Sequence, residues 1–270
     1  MKRFTAVLFV AALFLAGPAH GDLFLKYEKT TGAYQIMGQT IPEKKVTATT
    51  WIGADKARFD DGEKMSAIMD GKAKTLTILD HGRKTYTIIP LDDKTSLMDK
   101  AIEGRASSPE EAAKMKQAMQ GMMGAMKMQM TVTPTGEKKK IDKWDCARYD
   151  VNVSMSMGNS KSEVWATEQI KIDRDRFNRV RNFGMAGQPG FEQMQKEAEK
   201  IKGVPVLSVS TAKVMNAEVK TTEKLVEQSE KSAPAGTYDI PQGYKEQKGF
   251  GGDGGPMGAG DLDVEEGEDN

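Results

Sequence analysis

The chain has 270 residues, of which 39 are basic and 39 acidic, and 38% are hydrophobic. Balanced charge argues against a nucleic-acid partner, and with 2 histidines and 1 cysteine the chain has few routes to metal or nucleophilic chemistry. One cysteine also excludes an intramolecular disulfide, so a domain outside the cytoplasm must rely on an ordinary core.

Lys2 and Arg3 precede an apolar run over residues 4–16, which leads into Gly17, Pro18 and the small-x-small triplet Ala19-His20-Gly21. This pattern predicts a secretory signal peptide over residues 1–21, cleaved after Gly21, because the run is too short for the roughly 20 residues of a membrane-spanning helix. The expected location is the periplasm or the exterior, with membrane contact peripheral at most. Residues 22–248 then form one predicted β-rich domain, mildly basic, and residues 249–270 a disordered Gly-rich acidic tail.

Short strands are predicted over residues 23–30, 45–52, 56–60, 66–69, 75–80 and 85–90, all rich in Thr, Val, Ile, Tyr and Trp. The turn signals between them include Gly53-Ala54-Asp55, Asp60-Asp61-Gly62, Asp70-Gly71 and His81-Gly82, with glycine expected to supply positive φ. Links this short imply an antiparallel meander.

A helix start follows at Ser107-Ser108-Pro109-Glu110-Glu111: a serine cap, a proline in the first turn and acids at the positive dipole end. Met115, Met119, Met122, Met123 and Met126 share one helical arc, with a break expected between residues 121 and 124. Strand periodicity resumes over 128–135, 140–144, 149–157 and 163–172. Tyr149, Val151, Val153 and Met155 there share one face, and Arg148, Asp150 and Asn152 the other. Helix is predicted again over 173–183 and 190–202, the latter on a stripe of Phe191, Met194, Ala198 and Ile201. The helical insertions thus fall near 92–125 and 173–202. A further β-rich stretch runs over 204–223, and residues 238–244 close the domain.

Several motifs stand in a characteristic order: Trp51-Ile52-Gly53-x-Asp55-Lys56-x-Arg58, Asp80-x-x-x-Lys84-Thr85-Tyr86, and, after the helical insert, Gly136 with Trp144-Asp145-Cys146-x-x-Tyr149-x-Val151. Tyr238-Asp239-Ile240-Pro241-x-Gly243-Tyr244 ends the series. In these residues the chain resembles the DUF4412 family of exported bacterial proteins, itself akin to the LolA/LolB lipoprotein-carrier superfamily, over roughly residues 23–247. The resemblance implies a mainly β (α+β) fold: a curved antiparallel sheet forming an unclosed barrel, with helices covering the concave face. In the carrier superfamily that space holds acyl chains.

The residues offer several chemistries. A Met-rich helix fills irregular core space, or presents a deformable apolar surface to lipid tails or partners. Met119-x-x-Met122-Met123-x-x-Met126 also has spacing that suits Cu(I), without a neighbouring His or Cys. Cys146 reads as a packed residue and His81 as a turn residue. Lys138-Lys139-Lys140 reads as a hairpin turn. Arg174, Arg176, Arg179 and Arg181 pair with Asp173 and Asp175, or meet anionic head groups. The carboxylate pairs Asp60-Asp61, Asp92-Asp93 and Glu110-Glu111 fall at turns and helix starts, where acids are favoured locally. No nucleophile elbow, zinc-protease motif or phosphate-cradling loop occurs, so no enzyme activity, catalytic residue, metal or cofactor is expected. The expected function is non-enzymatic binding of a hydrophobic ligand: a lipid, an acyl chain, or a lipidated partner such as a lipoprotein. Trp51, Tyr86, Met115, Met119, Met122, Met123 and Trp165 are the candidate lining residues. The competing reading is an envelope interaction module whose cavity is plugged by its own helix.

Overall fold

The structure is a computed structural model and describes residues 21–36, 38–90, 108–125, 129–155, 158–171, 191–214 and 217–247. The signal segment, the helix expected over 173–183, Met126 and the acidic tail lie outside them. In chain order the elements are β1 (Asp22–Thr31), β2 (Tyr34–Ile36), β3 (Gln39–Ile41), β4 (Lys44–Ile52), β5 (Lys56–Asp61), β6 (Met65–Asp70), β7 (Thr75–Asp80) and β8 (Thr85–Pro90). Then come α1 (Pro109–Ala125), β9 (Gln129–Ile141), β10 (Trp144–Met155), β11 (Gly158–Thr167), α2 (Phe191–Ala198), β12 (Val204–Val214), β13 (Ala217–Lys231) and β14 (Lys245–Glu246).

A single 12-stranded sheet runs in the order β14-β8-β7-β6-β5-β4-β1-β13-β12-β11-β10-β9. It is large, curved and antiparallel, and it does not close into a barrel; only the short β14 runs parallel to its neighbour, β8. Two meanders, β4–β8 and β9–β13, meet at β1. Their junction is the pairing of β1 with β13, from Asp22 opposite Lys231 to Thr31 opposite Thr221, bent by a bulge between Lys26 and Tyr27. The separate β2–β3 hairpin has no counterpart in the sequence-based reading.

Strand alternation places apolar residues on both faces near the junction. Leu23, Leu25, Ile52, Ala57 and Met69 belong to a core cluster that also takes in Cys146, Trp165, Val206 and Leu225 of the second meander. Phe24 and Trp51, which face each other across β1 and β4, stack with ring centroids 4.6 Å apart. A second cluster joins Val132, Tyr149, Val151, Val164 and Ala166, with Ile201 packed against it. Helix α2 sits beside this cluster: Met194 is 1% exposed and Ala198 is also buried. Burying a methionine to this extent contributes about 1.5–3 kcal/mol. The helix is pinned to the sheet because Val132 N–H, on the edge strand, donates to Glu197 Oε2 at 2.7 Å.

Local details differ from the sequence-based reading for identifiable reasons. Helix α1 continues through Gly121 and Gly124 without a break. The turns after β6 and β7 place their positive φ on Lys74 and Lys84, the last turn residues, and not on Gly71 or Gly82. The lysine run 138–140 is not a turn: it lies within β9, and the chain reverses after it, at Asp142 (φ 51°). β11 ends at Thr167, earlier than expected, where the backbone turns to meet Gly203.

Candidate functional site

Two arrangements of polar side chains stand out, one on each half of the sheet. The first begins with register. Arg58 and Asp60 lie two apart on β5 and so share a face, and Ser66 of β6 stands directly opposite Asp60. Arg58 Nε donates to Asp60 Oδ1 at 2.8 Å, Thr49 Oγ1 donates to Asp60 Oδ2 at 3.1 Å, and the Ser66 hydroxyl also donates to Asp60 Oδ1. His81 Nε2 lies 2.5 Å from Ser66 Oγ, and His81 Nδ1 lies 2.6 Å from the Tyr244 hydroxyl.

The proton inventory decides what this row can do. Ser66 gives its only proton to Asp60 and accepts from Arg58 Nη2 at 3.2 Å. The hydrogen-bond pattern therefore assigns the Nε2 proton of His81 to the Ser66 contact, and Nδ1 meets the Tyr244 hydroxyl. Ser66 directs its proton at the Asp60 carboxylate and at 3% exposure does not meet solvent. The row acts as a clasp. It binds the segment after β13 to the sheet, aided by Arg58 Nη1 donating to the Thr237 carbonyl at 3.1 Å and by Lys245 N–H donating to the Lys84 carbonyl at 3.0 Å.

The second arrangement is an open cleft of about 450 Å³ at the β9–β11 end of the sheet. Cys146, Ala147, Tyr149 and Ala166 contribute to its floor, and Lys138, Lys139, Lys140 and Lys202 to its rim. Asp145, Glu168 and Gln169 border it as well, and Gln169 Nε2 donates to Asp145 Oδ2 at 3.0 Å. Lys202 is anchored through its backbone, whose N–H donates to the Tyr149 hydroxyl at 3.1 Å. The Cys146 thiol is 2% exposed, and burial, reinforced by the charge of Asp145, pushes its pKa up. It stays protonated and chemically quiet.

The residues expected to line a ligand site are dispersed. Trp51 on β4 is stacked on Phe24 beneath Lys231, whose Nζ lies 4.4 Å from the Phe24 ring centroid. Trp165 on β11 is 4% exposed, donates from Nε1 to Glu163 Oε1 at 2.5 Å, and lies under Lys139 Nζ at 3.8 Å. In strand order β1, β13 and β12 separate these two tryptophans. Tyr86 is half-buried on β8, where its carbonyl accepts from Gln247 N–H at 2.8 Å. Met115 is half-buried on α1; Met119, Met122 and Met123 lie on the same helix, with side chains outside the described set. Lys138, Lys140 and Lys202 escaped sequence reasoning as site residues, the first two because their run was read as a turn.

Among the described residues no group of three or more His, Cys, Asp or Glu side chains could hold a metal ion. No helix among them is long and apolar enough to cross a membrane. The family model described as "Domain of unknown function (DUF4412)" matches residues 31–244. No curated protein matches the chain. The apo crystal structure of haemoglobin receptor HpuA from Kingella denitrificans is similar at 6% sequence identity and a TM-score of 0.19, over 84% of this chain and 49% of that one. The chain thus spans about half the length of that structure, and a likeness at this TM-score carries no argument.

Proposed function

The chain belongs to the DUF4412 family, and from that premise we propose that it is an exported, non-enzymatic binding protein for a hydrophobic ligand: an acyl chain, a lipid or a lipidated partner. The observation that carries this reading is the cleft at the β9–β11 end, whose volume of about 450 Å³ falls within the range of small-molecule sites. Its lining includes the half-buried Ala147 beside the nearly buried Tyr149 and Ala166, an apolar surface that favours hydrocarbon. Burying about 300 Å² of ligand hydrocarbon would contribute on the order of 7 kcal/mol before ordering costs. Kinship with the LolA/LolB carriers is part of the same proposal, and the open curved sheet agrees with it.

Native mass spectrometry of the protein purified from its own envelope without detergent, followed by lipid extraction, tests the proposal. A stoichiometric co-purifying lipid or acylated peptide is the expected result. A mass that stays ligand-free after incubation with phospholipid and acyl peptides would overturn it in favour of a self-plugged interaction module.

A further inference from the structure

Resting on that reading, we infer that the cleft is selective for amphiphiles with an oxyanion head, a carboxylate or phosphate carried on one apolar chain. The head lies among Lys138, Lys140 and Lys202, and the chain runs over Ala147 beside Tyr149.

Register is the first support. Lys138 and Lys140 pair with Ala147 and Asp145 of β10, and Ala147 shares its side of that strand with Tyr149. Lys202 joins them from outside the sheet, held by the bond from its N–H to the Tyr149 hydroxyl. Lys139, with the opposite strand parity, is engaged elsewhere over the Trp165 ring. Lys138, Lys140 and Lys202 therefore line the same cleft as Ala147 and Tyr149.

Charge balance is the second. Several lysines elsewhere meet acids: Lys29 with Asp61 at 3.1 Å, Lys56 with Asp70 at 3.2 Å, Lys224 with Asp142 at 3.0 Å and Lys200 with Glu197 at 2.6 Å. Among the described residues Lys138, Lys140 and Lys202 have no such partner, although Asp145 and Glu168 border the same cleft. The Asp145 carboxylate is instead engaged by the neutral amide of Gln169. Like charges left uncompensated around an apolar floor repel one another, and an oxyanion is the group that would neutralise them while accepting their N–H bonds.

The test is isothermal titration of the full exported chain with dodecanoate, dodecanol, dodecyltrimethylammonium and inorganic phosphate, each below its micellar concentration. Wild type is compared with the triple variant Lys138→Gln, Lys140→Gln, Lys202→Gln and with a control variant, Lys45→Gln, Lys213→Gln. Dodecanoate is expected to bind about tenfold tighter than dodecanol, a gap that narrows with salt. The triple variant should lose that gap while keeping its dodecanol affinity, which also reports that it is folded; the control should keep both. Equal affinity for all three dodecyl heads would overturn this inference and leave the hydrophobic-ligand reading intact. Failure of every dodecyl compound to bind would overturn both. Phosphate binding as tightly as dodecanoate would overturn the amphiphile and leave a site for the bare anion.

Discussion

His81 Nδ1 lies 2.6 Å from the hydroxyl of Tyr244, a residue 163 positions later in the chain. The two rings meet edge to face with centroids 5.8 Å apart. Through this contact the segment after β13 is fastened to the turn after β7, and through Ser66 and Asp60 to the strands beneath. His81 stands within the stretch Asp80-x-x-x-Lys84-Thr85-Tyr86 and Tyr244 ends Tyr238-Asp239-Ile240-Pro241-x-Gly243-Tyr244, and the clasp joins these two stretches of the chain.

Tyr244→Phe should therefore loosen the C-terminal segment before it affects the sheet. The variant loses one hydrogen bond, worth about 1 kcal/mol net, and leaves His81 Nδ1 without its partner. Hydrogen exchange should quicken across residues 232–247 while β5–β7 remain protected. Uniform loss of protection along the chain would show that the contact is not local to the clasp.

Gly203 offers a sharper test, because two requirements coincide there. Its φ is +84°, and a Cβ would lie 1.9 Å from the Thr167 carbonyl oxygen. Gly236 has φ +81° with nothing within 4 Å of an added Cβ. Gly236→Ala should cost about 1–2 kcal/mol, the left-handed penalty alone. Gly203→Ala adds a backbone collision and should cost more than about 3 kcal/mol, since β11 and β12 must separate to admit it. Urea unfolding of the pair measures the difference, and equal midpoints would contradict it.

Glu223 sets a pH dependence. Burial, opposed by Lys29 and reinforced by Asp61, raises its carboxyl above the ordinary value of 4.5. With the folded pKa raised, this site's contribution to stability is fully present below about pH 4.5 and is lost as the pH rises through the folded value. Glu223→Gln should stabilise the protein at neutral pH and leave stability at pH 4 nearly unchanged. The neighbouring Tyr27 phenol is raised as well, by burial first and Glu223 second, and it donates to the Pro205 carbonyl at 3.1 Å. Thermal melts from pH 4 to 8 report the sign; a variant less stable than wild type at pH 8 would reverse it.

The sequence by itself determined the elements whose information is local. The meander β4–β8 was legible because each hairpin joins strands across a few residues, and β-branched runs between turn signals leave little other choice. The same holds for the start of α1 at Ser108, whose hydroxyl accepts from Glu111 N–H at 3.2 Å. Reading failed where a turn lacked its usual residue: Asp142 takes a positive φ without glycine, so the lysines of β9 were mistaken for the turn they precede. Only the tertiary structure decided the rest. The pairing of β1 with β13, the seating of β14 on β8, the row from Asp60 through Ser66 and His81 to Tyr244, and the bond from Lys202 N–H to the Tyr149 hydroxyl all join distant residues. Such contacts leave no periodic trace in the chain, because they arise from how a curved sheet brings its strands and ends together.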